Sequence, residues 1–538
     1  MDTVADKEPC GLALPLNALP GVGPKRAEQL ARLGCLTVGD LLLHAPRRYE
    51  DRRHVGPISG LQLGQSSLTR GRIVAFGVNR FRHGAKSVFE LEQAEQARRR
   101  LALDEFVGLQ AAMLRRRRNF QTRADALPCA GDNRWMKPWL ARLGFSLTPA
   151  QTRVLREIRG NLGGRHPMRR LLQGDVGSGK TVVAAAAALM TLESGCNVAL
   201  MAPTEILAEQ HYRSFLTWFQ PLAIPVQLRT GSHHEPEPPG ALRLMVGTHA
   251  LIEDQFVLDN LGLVIIDEQH KFGVVQREQL LRKGRYPHLL VMTATPIPRT
   301  LGLTIYGDLD ISVIDELPAG RGRIHTFVRA ADRLPKVWEF IRGKLAEGRQ
   351  AYVVYPLVEQ SDKAELKAVT QEWQHLRDLL APFQVGLLHG RVPGQEKERV
   401  MDAFRAGQMH VLLATTVIEV GVDVPNATVM LVENAERFGL AQLHQLRGRI
   451  GRGAHDAYCI LVANAKTDDA QQRLQVLAET TDGFRIAEAD LQLRGPGEFL
   501  GLQQSGQPAF RFGNLATDLR LIERARSLAA KLLEQQPA

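Results

Sequence analysis

Short apolar runs recur along the middle of this chain, each closing on glycine or polar residues. Between residue 146 and about 320 they are LLQG (171–174), VALMAPT (198–204), LMVGTH (244–249), LVIIDE (263–268) and LLVMTAT (289–295). A second series follows from about 323: AYVVYPLV (351–358), VGLLHG (385–390), HVLLATT (410–416), TVMLVEN (428–434) and YCILVA (458–463). Strands buried on both faces read as near-continuous apolar runs, and in parallel sheets their carboxyl ends carry the functional loops. The pattern predicts two α/β units in tandem, each built on a parallel sheet.

The flanks are patterned differently. Residues 16–54 read as helical, broken by glycine and proline. In LPGVGPKRAEQL a glycine turn precedes a helix start, which resembles a helix-hairpin-helix DNA element and would aim backbone N–H groups at a phosphate. Residues 70–91 alternate as two strands joined by a basic turn at 82–84. Residues 92–123 predict one helix, with Leu101, Leu103, Phe106, Leu109, Met113 and Leu114 as its apolar stripe and the basic runs 98–100 and 115–118 beside it. The tail from 466 to 538 is helical with a glycine-rich break at LRGPGEFLG, and SHHEPEPPG (232–240) reads as a surface loop. The expected divisions are 1–55, 56–91, 92–145, 146–322, 323–465 and 466–538.

A chain of 538 residues exceeds one core, so several domains are expected. No apolar run approaches the ~20 residues of a membrane span, and VVAAAAALM (182–190) reads as a buried helix. The polar N-terminus argues against a secretory signal, and five dispersed cysteines without a CxxC pair favour a reducing cytoplasm and no zinc. Net charge is +11, and residues 1–145 carry 24 Lys and Arg against 14 Asp and Glu. That local surplus predicts binding to a phosphate backbone.

Candidate chemistry lies in three strings. GDVGSGKT (174–181) follows a short strand and opens an Ala-rich helix, the context a phosphate loop needs. Gly174, Gly177, Ser178 and Gly179 would cradle phosphates, Lys180 would meet the β and γ oxygens, and Thr181 would ligate Mg2+. In LVIIDE, Asp267 would hold the same Mg2+ and Glu268 would act as general base on the attacking water. QLRGRIGRG (445–453) offers Arg449 and Arg452 as fingers for charge developing on the phosphoryl group. ATP and Mg2+ are therefore the expected cofactors.

The strings QGDVGSGKT, APTEILAEQH, VGTHALI, IIDEQHKFGV, MTATPIPRTL, ATTVIEVGVDVPNAT and LHQLRGRIGRG together resemble the motifs of superfamily 2 helicases. IDEQHKFGV, TATPIPRTL, LRGPGEFLGLQQSG, GVGPKRAEQLARLG and HAPRRYEDR narrow the resemblance to the RecG family. That resemblance implies two RecA-like motor domains, a helical N-terminal region carrying an OB-like wedge, and a helical C-terminal translocation segment. It implies an ATP-dependent helicase that remodels branched DNA, at stalled forks and Holliday junctions, in recombination and repair. It also implies a monomer at the cytoplasmic nucleoid, with single-stranded DNA-binding protein as a further partner and no membrane. Residue by residue, Gln151 would recognise adenine and Asp423 would sit near the ribose. Thr293 and Thr295 would couple ATP to DNA, Thr204 and Thr415 would touch the backbone, and His270 would link hydrolysis to the TAT segment. Arg494 and Gln503 belong to the translocation segment.

One part departs from the family. The wedge barrel needs five strands, and the span from Arg53 to Leu101 has room for two or three, so a partial wedge and weak fork specificity are expected. Two other readings stay open: a duplex translocase of the transcription-repair coupling type, and a DNA-binding protein with a residual motor.

Overall fold

The computed structural model describes residues 14–19, 22–32, 34–43, 55–56, 68–69, 73–81, 84–91, 94–124, 126–233, 240, 242–254, 256–268, 274–283, 286–294, 309–318, 320–356, 362–389, 392–415, 424–464, 468–494, 510–515 and 517–535. The chain divides into two compact units, residues 1–97 and 98–538.

In the first unit, helices α1 (Pro24–Ala31) and α2 (Val38–Leu43) follow the predicted helical stretch. Pro24 stands at the first position of α1, where its missing N–H costs nothing. Asp40 Oδ2 accepts the N–H groups of Leu36 and Thr37 at 3.0 and 2.8 Å, which fixes the entry to α2. Two strand pairs follow. β1 (Val55–Gly56) runs parallel to β2 (Leu68–Thr69), and β3 (Ile73–Phe81) pairs antiparallel with β4 (Gly84–Leu91). Among the described residues these pairs form two separate two-stranded sheets, not a closed barrel. The turn expected at 82–84 falls largely outside the described residues.

The second unit carries the two predicted sheets. The first comprises β5 (Arg169–Gly174), β6 (Asn197–Met201), β7 (Val226–Arg229), β8 (Leu244–Gly247), β9 (Leu261–Ile266), β10 (His288–Thr293) and β11 (Asp310–Ile314). Its order is β11-β5-β10-β9-β6-β8-β7, all parallel. The second comprises β12 (Ile324–Arg329), β13 (Gln350–Val354), β14 (Val385–Leu388), β15 (Val411–Ala414), β16 (Ala427–Val432) and β17 (Ala457–Val462), in the order β12-β17-β16-β13-β15-β14, again all parallel. Alternate residues of β6 feed opposite cores: Val198 and Leu200 face one cluster, Ala199 and Met201 the other. Each such buried Val or Leu contributes about 1.5–3 kcal/mol, so both faces of the sheet need helical cover.

Helices α4 (Met136–Arg142) and α5 (Pro149–Leu162) precede β5. The helix after β5, α6 (Lys180–Glu193), is the predicted Ala-rich one, and Val182 through Glu193 are all buried. At its far end the Glu193 carboxylate accepts three backbone N–H groups, from Asn133, Trp135 and Met136, at 3.0, 2.7 and 2.8 Å. Four cysteines, Cys35, Cys129, Cys196 and Cys459, are buried and free of disulfides.

Helix α3 (Ala94–Arg123) confirms the long predicted helix. Leu101 and Phe106 of its stripe are buried, and Phe106 packs with Leu491, Leu515, Ile522 and Ala525 from the tail. Its basic runs are not a uniform DNA face. Arg98 makes a two-bond pair with Asp518, Arg117 does the same with Asp310, and Arg118 donates to the Leu533 carbonyl. Glu105 accepts the N–H groups of Arg511, Phe512 and Gly513. Much of this charge therefore fastens the tail and the edge strand β11. Most of the 232–240 loop and the glycine-rich break of the tail lie outside the described residues.

Candidate nucleotide site

β5 ends at Gly174 and α6 begins at Lys180, so the phosphate-loop string is the turn from a strand end into a helix start. Gly177 and Gly179 have φ of 77° and 86°, backbone that L side chains rarely adopt. Space is short as well. A methyl group on Gly179 would lie 2.3 Å from Gln151 Nε2, and one on Gly177 2.4 Å from Arg321 Nη1. The amides that open α6 suit an anion by hydrogen bonding and by the helix dipole. Ser178 Oγ is buried in the loop without a protein partner. Lys180 Nζ donates to the carbonyls of Gly174 and Asp175 at 2.7 and 2.9 Å. Burial draws its pKa down, against the pull of Glu268, Asp267 and Asp175. Thr181, next in the helix, is half-buried.

Asp267 and Glu268 follow β9 directly. His211, on α7 (Glu205–Phe219), places Nε2 2.7 Å from Asp267 Oδ2. Burial acts to raise the Asp267 pKa, but His211 and Lys180 outweigh it and hold the group below the ordinary carboxylate range. Glu268 moves the other way: burial first, then the Asp267 charge, push it up. Its backbone is left-handed, with φ of 51°. Adjacent carboxylates driven apart in this way can divide their work, one binding a cation and one taking a proton.

The arginines come from the other sheet, on the segment after the helix Leu440–Arg447. Arg449 is buried, and its charge acts on Glu268. Arg452 acts on Lys180 in turn. Burial, with Arg321 beside it, brings the Arg452 pKa down to about 10. Three further contacts close the cleft. His444 Nε2 lies 2.6 Å from Asp175 Oδ1. Gly448 packs so closely on the loop that a methyl group there would lie 2.5 Å from Val176 Cβ. Arg321 donates to the carbonyls of Val176 and Gly451 at 3.1 Å each.

Lys180, Thr181, Asp267, Glu268, Arg449 and Arg452 are thus assembled from both sheets. Gln151 also stands at the loop, but its amide is engaged within the protein. Oε1 accepts the Thr148 N–H at 2.9 Å and Nε2 donates to the Ser178 carbonyl at 2.8 Å. Thr204 caps α7 through the Leu207 N–H, and Thr293 and Thr415 are buried at the ends of β10 and β15. Arg494 is the last residue of the helix Gly483–Arg494. Asp423, His270, Thr295 and Gln503 lie outside the described residues. Sequence reasoning missed His211, His444 and Arg321. The first two stand inside the quoted motif strings, and Arg321 carries no motif signal of its own.

Four family models match the chain. They are the DEAD/DEAH box helicase (148–303), the helicase conserved C-terminal domain (332–454), the RecG wedge domain (16–88) and the C-terminal part of domain 3 of ATP-dependent DNA helicase RecG (480–538). The ATP-dependent DNA helicase RecG of Escherichia coli K12 is 38% identical, across 98% of this chain and 96% of its own length. The chain belongs to the RecG family. That alignment runs over 667 positions, so the E. coli RecG holds stretches with no counterpart among these 538 residues. RecG of Synechocystis is 51% identical over 455 residues, 83% of this chain but 55% of that protein, so the chain spans little more than half of its length. A solved RecG bound to a three-way DNA junction matches with a TM-score of 0.65 at 34% identity, covering 97% of this chain and 86% of that one. The RecG wedge match runs from the N-terminal helices through β3 and into β4.

Proposed function

We propose that this chain is an ATP-dependent DNA motor of the RecG type that moves on the duplex arms of branched DNA in recombination and repair. The observation that carries the reading is the two-sided site: Lys180, Asp267 and Glu268 from one sheet face Arg449 and Arg452 from the other. A site split between lobes can change the cleft as nucleotide binds and leaves. Thr181 and Asp267 offer one hydroxyl and one ionised carboxylate. That suits Mg2+, which takes one or two carboxylates and fills its octahedron with water and phosphate oxygens. ATP, when bound, supplies the phosphoryl group. Lys180 would exchange its two carbonyl partners for phosphate oxygens, Glu268 would accept a proton from water, and the arginines would steady the developing charge. The junction-bound RecG structure supports branched DNA as the substrate class. The reading includes a monomer at the nucleoid with single-stranded DNA-binding protein as a partner; among the described residues no helix is long and apolar enough to cross a membrane.

The test is ATPase rate against single-stranded, linear duplex and forked DNA, with K180A as control. Stimulation by DNA that K180A abolishes supports the motor. DNA binding with no hydrolysis on any substrate would overturn it.

A further inference from the structure

The linker between the two sheets leaves β11 at Ile314 and enters β12 at Ile324, and it does more than connect. Arg321 lies on it. Its Nη1 donates to the carbonyl of Val176 in the phosphate loop, and its Nε donates to the carbonyl of Gly451, between the two finger arginines. The guanidinium rests on Gly177, where even a methyl group would come within 2.4 Å of Nη1. The next residue is pinned as well. The Gly322 N–H donates to the Gly453 carbonyl at 2.9 Å, and a Cβ there would collide with the His455 carbonyl. The Arg323 N–H donates to Asp456 Oδ1 at 3.0 Å. The linker is therefore braided into the loop 448–456, and Arg321 reaches from that braid across the cleft.

We propose that Arg321 is a positioning residue for ATP hydrolysis, which clasps the phosphate loop to the finger loop and so fixes the reach of Arg449 and Arg452. This rests on the ATPase reading above. Two carbonyls on opposite sides of the cleft can be bridged by one planar fork only when the lobes stand at the present separation. A guanidinium presents Nε and Nη donors in fixed relation, whereas an ammonium is a single point on a flexible stem. The bridge makes its contribution where two loops must be held within a fraction of an ångström, because a misplacement of about 1 Å can cost about 10²-fold in rate. It engages carbonyls and takes none of the amides of the phosphate loop.

The experiment compares wild type, R321A, R321K and K180A as full chains. It measures DNA-stimulated kcat and KM for ATP, and the Kd of a fluorescent ADP analogue. R321A is expected to lose roughly 10–100-fold in kcat, with Kd and KM within about threefold of wild type. R321K keeps charge and bulk, and is expected to recover only a minor part of the loss. Should R321A fold poorly in a thermal melt, R321K carries the test alone through the same split of kcat from Kd. Near-wild-type kcat in R321A, full rescue by R321K, or loss of ADP affinity in step with kcat would each overturn the proposal. K180A separates the two levels. A silent K180A beside an active R321A strikes only the clasp, while an active K180A would mean that the ATPase reading has failed.

Discussion

Glu268 sits in left-handed backbone with its own N–H bonded to Asp267 Oδ1 at 3.0 Å, so two carboxylates are held side by side without sharing a role. Burial raises one, and His211 with Lys180 holds the other ionised. E268Q keeps size and hydrogen bonding but removes the base. It is expected to bind ATP normally and hydrolyse it about 10²–10⁴-fold more slowly; single-turnover kinetics would show this, and near-normal turnover would reassign the base. A second buried carboxylate bears on stability. Glu433, at the end of β16, is pushed up to about 7 from an ordinary 4.5 by burial, then by Glu372 and Glu436. The folded protein thus holds a proton that the unfolded chain has released, and stability falls as pH rises through this window, with the full cost above pH 7. E433Q removes that cost. Its melting temperature is expected to exceed wild type by about 2–4 °C at pH 8 and by far less at pH 5. An equal gain at both pH values would show that packing, not charge, is responsible.

Among the described residues, ten of the thirteen strands of the two parallel sheets were legible as apolar runs, and β7, β11 and β12 were not. All three are sheet edges. β11 and β12 are only partly covered, so IHTFVR of β12 shows no continuous apolar run and stays half-exposed, whereas β7 is short and nearly buried, with Gln227 and Arg229 breaking its apolar run. The site was legible where a motif keeps its residues close together, as in the phosphate loop. It was not legible where partners lie far apart in sequence, as with His211 and Asp267 or His444 and Asp175. Helix α3 was legible as a helix but not as a clamp, because the Arg117 partner, Asp310, stands 193 residues away. Two neighbouring arginines of its second basic run should therefore part company on mutation. R117A is expected to lower stability by up to about 1 kcal/mol in urea unfolding. R116A, exposed in this helix, is expected to leave stability unchanged while weakening DNA binding on all sequences and reducing its salt slope by about one. Identical behaviour of the two variants would deny the division.

At the scale of the whole chain, the proposed motor with its two-sided site accompanies, among the described residues, two separate strand pairs in the wedge region. A two-stranded hairpin alone is marginal in water, and on the proposed reading a rigid element at the branch point would part the strands. DNA-stimulated ATPase is expected to persist while preference for forks over linear duplex is weak and fork regression is poor. Regression and ATPase measured in parallel would decide this, and efficient regression would mean that residues 16–91 form a working wedge. One helix would give such a motor a mechanical property of its own. With 14 residues, α6 is about 21 Å long. The phosphate loop stands at one end, and the Glu193 carboxylate grips the segment 133–136 at the other. Buried continuously from Val182 to Glu193, it behaves as a stiff lever. A tilt of the phosphate loop on binding nucleotide, as proposed, would reappear at Glu193 as a tug on the stretch of chain that leads back to α3.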